Sequence, residues 1–336
     1  MKSPSIHRIQ PIIMASVSTT VPRLLVVGGN GFLGSAVCKA AVSRGWDVSS
    51  MSSSGTPYTT PAGHTPKWVQ RVQWHKASAF EPSTFADLIS NKTAVVHTLG
   101  ILLEDAGYKA AVRQGNPLGV LKAVAQGVLG SGVDSNPLKT TAEKRKGYDA
   151  MNRDSGEERS CNVERTKLTT AISVLDTMLQ HPHLVDGAPS PRSFVYISAG
   201  TGFAPVVPEG YLRSKREAEG LIIQKCTPQT NVHPLIMRPG LMYHSHTRPL
   251  STLPAFAVSL SAGLHDRLHL PLPFSEESIL GKTAQTLRTH PIHVDHVADA
   301  ICKSIAEGRE GVVDVPTMRA WAGFDVPEGD LGAQTA

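Results

Sequence analysis

The feature that leaves this chain the least freedom is a glycine-spaced turn directly behind its first apolar run. Residues 24–27 (LLVV) are bounded by Pro22 and a glycine cluster and read as a buried parallel strand. Val27-Gly28-Gly29-Asn30-Gly31-Phe32-Leu33-Gly34 follows, with glycines at 28, 31 and 34. Gly28 suits a tight turn, Gly31 lets a pyrophosphate approach the backbone, and Gly34 lets the next helix pack close to the strand. The first amides of a helix opening at Phe32 would face the anion. Leu33, Ala36, Val37, Ala40 and Ala41 recur at helical spacing, Gly45 supplies a stop, and residues 46–51 read as a second strand. Strand, glycine turn, helix and strand make a βαβ unit. Its expected cofactor cradle is Gly28, Asn30, Gly31, Phe32, Leu33 and Gly34.

The rhythm continues with strands at 69–74, 94–99, 193–198 and 232–237, and helices at 83–90, 164–180, 211–224 and 294–305. Strands alternating with helices predict an α/β fold, a Rossmann-type doubly wound parallel sheet with a small C-terminal substrate lobe. Residues 23–240 form the expected dinucleotide-binding domain. It carries a glycine-rich insertion at 105–147, with a short apolar helix at 117–128 inside it. Residues 241–320 supply the smaller lobe and a returning helix, and 321–336 a flexible tail.

The second strand ends Ser49-Ser50-Met51-Ser52-Ser53-Ser54, without the carboxylate that usually bonds the ribose hydroxyls of NAD. Ser52 and Ser53 offer hydroxyls instead, and no acid repels a 2′-phosphate, so NADP(H) is favoured over NAD(H). Four cysteines, Cys38, Cys161, Cys226 and Cys302, lie far apart, which argues against a zinc ribbon or disulfide framework. The 33 Lys and Arg against 28 Asp and Glu leave a net charge of +5, scattered without a run of five, which argues against a nucleic-acid partner. No stretch of 18 apolar residues suggests a transmembrane helix. Residues 1–22 hold Lys2 and Arg8, several hydroxyl residues and no acid, the composition of a mitochondrial import segment.

Further motifs stand in a familiar order: Tyr211-Leu-Arg-Ser-Lys215 after the SFVYIS strand, then Met237-Arg238-Pro239-Gly240, then Ile292-His293-Val294-Asp295-His296-Val297-Ala298. With GGNGFLG they resemble the extended short-chain dehydrogenase/reductase superfamily, its epimerase/dehydratase branch, over residues 22–315. The GGNGFLG wording, the segment from Tyr148 to Ser155 and YLRSKREAE are similar to fungal mitochondrial Rossmann proteins associated with ubiquinone (coenzyme Q) biosynthesis. Those are relatives of the Rossmann-type accessory subunit of respiratory complex I.

The resemblance implies that Tyr211 exchanges a proton while the Lys215 cation lowers its pKa and holds the nicotinamide ribose. It adds His97, Lys215 and Pro239 to the cofactor contacts. The serine or threonine expected after the SFVYIS strand has no clear counterpart, since Ser198 sits early and Thr201 late. An NADP-dependent oxidoreductase and a non-catalytic accessory subunit both stay open, as does, more distantly, a sugar-nucleotide epimerase. The implied partners are proteins of the coenzyme Q biosynthetic complex on the matrix side of the inner mitochondrial membrane, with peripheral membrane contact. An apolar, quinone-like ligand would suit the uncharged stretch 249–264.

His290, His293 and His296, near Asp295 and Asp299, could be read as metal ligands, but they coincide with a strand-to-helix entry and are expected to be structural. No metal is expected. His244 and His246 follow the Arg238-Pro239-Gly240 turn, and Asp149, Asp154, Glu157 and Glu158 read as a solvated face.

Overall fold

Apolar runs too short to bury themselves become the strands of one parallel sheet. The computed structural model describes residues 21–99, 169–182, 184–185, 188–200, 209–226, 231–247, 259 and 290–326. Residues 1–20 of the expected import segment, the insertion, the acidic group at 149–158, Thr201, the stretch 249–264 apart from residue 259, and most of the tail lie outside them.

In chain order the elements are β1 (Arg23–Val27), α1 (Phe32–Ser43), β2 (Asp47–Ser52), β3 (Val72–Lys76), α2 (Ala86–Ser90) and β4 (Ala94–His97). A helix over residues 169–180, α3, precedes a two-residue hairpin of β5 (Leu184–Val185) and β6 (Ala188–Pro189). Then come β7 (Arg192–Ile197), α4 (Glu209–Lys225), β8 (Val232–Met237), β9 (Met242–Tyr243), β10 (Ile292–His293), α5 (Val294–Ala306), β11 (Gly311–Val313) and α6 (Val315–Trp321).

Among the described residues, seven strands form the main sheet in the order β3-β2-β1-β4-β7-β8-β11, every neighbouring pair parallel. The direction of winding reverses between β1 and β4, and ligands of open α/β sheets bind in the crevice at such a switch point. The returning chain adds β11 to this sheet as well as a helix. β9 and β10 pair separately, in parallel.

Alternation along the strands feeds two cores. Leu24 and Val26 face a layer with Val37, Ala41, Val297 and Ile301 from α1 and α5. Leu25 and Val27 face the other layer, with Phe85, Ile89, Leu175, Met178 and Ile222. Both faces are covered, as a parallel sheet requires.

Two expected elements divide. In 69–74, Lys67–Arg71 forms a 3-10 turn capped by Pro66 at φ −63, and β3 begins only at Val72. The Trp74 indole N–H donates to the Val69 carbonyl at 3.0 Å and fixes that corner. In 83–90, Pro82–Thr84 is 3-10, and Phe85 breaks the helix at φ −139 while its ring is fully buried.

The lower, N-terminal end of the sheet is closed by a buried arginine. The Arg192 guanidinium donates to the carbonyls of Lys92 (2.8 Å), Met178 (3.0 Å), His181 (2.7 Å) and Ile89 (2.6 Å). It thereby satisfies carbonyls at the ends of α2 and α3, which helix geometry leaves without partners. Burial lowers its pKa to about 10, which leaves it cationic at neutral pH. Beside it the buried Lys92 ammonium donates to Ser49 Oγ at 2.7 Å, and its pKa is lowered by burial despite Asp47 nearby. Arg192→Ala strands several buried carbonyls at once and is expected to cost roughly 3–5 kcal/mol of unfolding free energy. Urea denaturation of the full chain measures this, and a loss below about 1 kcal/mol would refute the clamp.

Candidate functional site

The turn after β1 is as tight as its glycines demand. Gly28 has φ +87, and its amide donates to the Met51 carbonyl at 2.8 Å, tying the turn to β2. A Cβ there would lie 2.8 Å from Leu99 Cδ2 and 3.0 Å from Thr98 Oγ1, just beyond β4. At Gly34 a Cβ would lie 2.2 Å from the Gly28 carbonyl oxygen, so α1 sits directly on the turn. Gly31 differs. It is exposed with ordinary backbone angles (φ −80, ψ 179), and an added Cβ would meet only the Gly28 carbonyl oxygen, at 3.2 Å. The space beyond it is open. No side chain caps α1 and no acid stands in its first turn, so the positive end of the helix faces that opening. These features fit a dinucleotide pyrophosphate held by the loop at Gly31 and the α1 amide end.

Gly29 is a requirement that motif reading missed. A Cβ at this position would stand 2.3 Å from Ser50 Oγ and 3.0 Å from Cys38 Sγ. Leu33 buries its side chain in the core, which leaves its backbone amide as the part that would serve the cradle, while Asn30 and Phe32 remain half-exposed at the mouth. Asn30 Nδ2 reaches Ser54 Oγ at 3.4 Å, linking the glycine turn to the end of β2. Ser52 is half-buried and Ser53 exposed there.

On the far side of the switch point, β4 and β7 place His97 opposite Tyr196. The rings are 6.2 Å apart, and Lys215, rising from α4, donates to Tyr196 Oη at 3.2 Å and to the Ile197 carbonyl at 3.0 Å. Lys215 is only 2% exposed. Tyr211 stands one turn earlier on the same helix. Neither ring nitrogen of the buried His97 has a hydrogen-bond partner among the described residues. Burial, and then the Lys215 charge, lower its pKa to about 3.

Ser198 is built into a brace. The Arg216 guanidinium donates to Ser198 Oγ at 3.2 Å and to the Ala199 carbonyl at 2.8 Å, and it pairs with Glu219. The Glu219 carboxylate, 4% exposed, also accepts from Arg238 Nε at 3.0 Å. Burial alone would raise the Glu219 pKa, but bonds from Arg238 and Ser198 and the two guanidinium charges lower it. Arg238 and the buried Pro239 thus anchor the end of β8 to that of β7, and the Gly200 amide donates to the Pro239 carbonyl at 2.8 Å. Arg216 and Glu219 were not foreseen. Their spacing of three on a helix was the only available signal.

The histidines at the β9/β10 corner form a ring stack. His293 lies 4.8 Å from His244 and 5.3 Å from Tyr243, and His296 lies 5.6 Å from Phe324. His293 Nδ1 accepts from the Asp295 amide at 3.3 Å and caps α5. Among the described residues no group of three or more His, Cys, Asp or Glu is placed to hold a metal.

The family model for the NAD dependent epimerase/dehydratase family matches residues 24–114. The chain is 37% identical over 230 residues to MIOREX complex component 2 of Saccharomyces cerevisiae, covering 67% of this chain and 74% of that one. It is 41% identical over 78 residues to an uncharacterized chloroplastic protein of Arabidopsis thaliana, covering 23% and 24% of the two chains. Among solved structures, the UDP-glucose 4-epimerase of Thermus thermophilus in complex with NAD aligns with a TM-score of 0.44 at 17% identity, covering 87% of this chain and 77% of that one.

The His97 environment carries a pH signature. Its folded pKa of about 3 lies below the ordinary value of 6.5, so between these values the unfolded chain binds the extra proton. Its contribution is present above pH 6.5 and is lost as pH falls, with a slope approaching about 1.4 kcal/mol per pH unit. Stability measured from pH 7 to pH 4 should fall less steeply in His97→Phe than in the parent chain. Parallel curves would show that His97 does not titrate in this way.

Proposed function

The chain belongs to the NAD-dependent epimerase/dehydratase family, the extended branch of the short-chain dehydrogenase/reductases, and on that premise we propose that it is a mitochondrial NAD(P)-binding component of a protein assembly serving ubiquinone synthesis, one that holds its dinucleotide without turning it over. The observation that carries this reading is a contrast within one crevice. The glycine cradle is open at Gly31, whereas two groups that chemistry would need are engaged elsewhere. Lys215 is buried against Tyr196 and the Ile197 carbonyl, and Ser198 is bonded to Arg216.

A bound NAD(P)H supplies a hydride. For this chain to use it, Tyr211 would have to pass a proton with help from a lysine cation at the ribose. Bringing Lys215 to a ribose means breaking its bonds to Tyr196 Oη and the Ile197 carbonyl, and leaving a carbonyl short of a partner. The cradle needs none of this. Gly28, Gly31, Gly34 and the α1 amide end would hold the pyrophosphate, with Asn30 and the serines of 52–54 toward the adenosine ribose. Membership of an assembly is supported by the yeast relative, itself named as a complex component. The acid-free, hydroxyl-rich first 22 residues support import into mitochondria, on the matrix side.

Gly31→Val and Tyr211→Phe separate holding from turnover. The Gly31 backbone angles suit valine, so the fold should survive while the branched side chain fills the pyrophosphate position. Expressed in cells lacking the protein, Gly31→Val should fail to restore ubiquinone and Tyr211→Phe should restore it. If tyrosine is the proton donor, its loss costs roughly a hundredfold in rate. Equal failure of both variants, with Tyr211→Phe folded and nucleotide-bound, would establish catalysis instead.

A further inference from the structure

We propose that a cavity between the end of α1, α5 and α6 is a binding site for a small organic acid, a single carboxylate on an apolar or aromatic body. It is separate from the nucleotide crevice and takes a different class of ligand.

The walls supply the first observation. The cavity holds about 370 Å³, and its apolar lining comes from Ala300 on α5 and from Met318, Trp321 and Ala322 at α6. That volume lies at the lower end of small-ligand pockets, which run from roughly 300 to 1,000 Å³. Arg44 closes one end, directly after α1. It therefore stands a helix length, about 18 Å, from the glycine turn that opens α1.

The polar groups supply the second, because they are mostly donors. Lys303 is half-buried, and its ammonium lies 4.9 Å from the centre of the Trp321 ring. Among the described residues no ion pair engages it. The Trp321 indole N–H, which can only donate, has no acceptor among them either. His296 touches His293 and Phe324 through its ring and adds a further donor. The one carboxylate in the lining, Asp299, is taken by Arg44 at 3.0 Å. Nearby acids are engaged as well: Asp295 with Lys39, Glu307 with Arg309, and Asp314 on the Thr317 amide at 3.0 Å. A lining of donors whose only carboxylate is occupied selects an oxyanion.

Charge supplies the third. The Arg309 guanidinium lies 4.8 Å from the same Trp321 ring, so two cations share one indole while only Arg309 has an acid partner. Stacking on an electron-rich face holds the cations in place without cancelling their charge. The last turn of α5 suits a lysine because of the helix dipole, which accounts for a cation there but not for a cavity beside it. One uncompensated positive charge at an apolar cavity is matched by a monoanion with an apolar body.

Fluorine NMR titration of the full chain with para-fluorobenzoate and its neutral analogue para-fluorobenzamide tests this directly. The acid should bind with a Kd of about 1 mM or tighter, and the amide roughly tenfold more weakly. Lys303→Met keeps an unbranched stem against Trp321 and should lower the acid's affinity roughly five- to tenfold, leaving the amide's unchanged. Lys303→Arg should preserve the preference. Ala322→Leu fills the cavity and should weaken both probes. Thermal melts of each variant check that the fold is kept. Saturating NADP+ should not displace the acid. Equal affinity for acid and amide, an acid affinity unaltered in folded Lys303→Met or Ala322→Leu, or displacement by NADP+ overturns the proposal. Tighter binding of N-acetylglutamate amide than of para-fluorobenzoate also overturns it, by assigning the cavity to an acidic side chain of a partner protein. None of these outcomes bears on the nucleotide-holding reading, which its own variants test.

Discussion

Everything at the mouth of the crevice depends on how closely α1 approaches the turn after β1. A side chain at Gly34 would overlap the Gly28 carbonyl oxygen, so its absence lets the helix start on top of the strand end. That contact aims the amide end of α1 at the space beyond Gly31. Its demands spread sideways. Gly28 leaves room for Leu99 and Thr98 beyond β4, and Gly29 leaves room for Ser50 on β2, which explains why a buried strand carries a residue as small as serine there. The Thr98 hydroxyl returns the constraint by donating to the Val27 carbonyl at 2.7 Å. The far face of α1 is then fixed by α5. Lys39–Asp295 and Arg44–Asp299, both at 3.0 Å, are partly exposed and worth no more than about 1 kcal/mol each. They orient the helices, while buried Val37, Cys38, Val297 and Ile301 supply the burial that stabilises them.

The two ends of the sheet are treated differently. At the N-terminal edge the Arg192 guanidinium and the Lys92 ammonium are both satisfied by oxygen acceptors. At the C-terminal edge His97 is buried with neither nitrogen bonded among the described residues, and Gly31 opens on empty space. A polar group without a partner in a dry interior costs on the order of 1–3 kcal/mol. Such a cost is tolerated where a ligand or ordered water completes the site, and this is the edge at which open α/β sheets generally bind their ligands.

What could be read from the chain alone was whatever is local. Periodicity marked β1, α1, β2, β4, β7, β8 and α5 to within a residue or two, because strands covered on both faces are written as apolar runs. The glycine spacing told the loop from an ordinary turn. Hydrogen bonds between side chain and backbone ended other elements early. The Trp74 indole holds Val69 in a 3-10 turn, and Thr84 Oγ1 donates to the Glu81 carbonyl at 2.7 Å ahead of α2. Nothing local announces that Lys76 will stand beside Ser52, that Arg192 will join the ends of two helices, or that Arg216 will take Ser198. Each follows from register or from packing between distant segments. β11 escaped notice for a related reason: three residues are too few to show a period, and only pairing with β8 makes them a strand.

The crevice therefore divides into halves that need not act together. Its β1–β2 side consists of backbone amides, glycine space and hydroxyls, groups that would suit an anion-bearing nucleotide. Its β7–β8 side is already bonded within itself among the described residues: Lys215 on Tyr196 and Ile197, Arg216 on Ser198 and Ala199, Glu219 between two guanidinium groups. Reassigning any member leaves another buried group unsatisfied, at about 1–3 kcal/mol apiece. A nucleotide can enter the first half without disturbing the second. Turnover would require the second half to reopen. Fixed polar bonds of this kind favour a single rigid state, which is what a subunit needs if its bound nucleotide is part of its architecture.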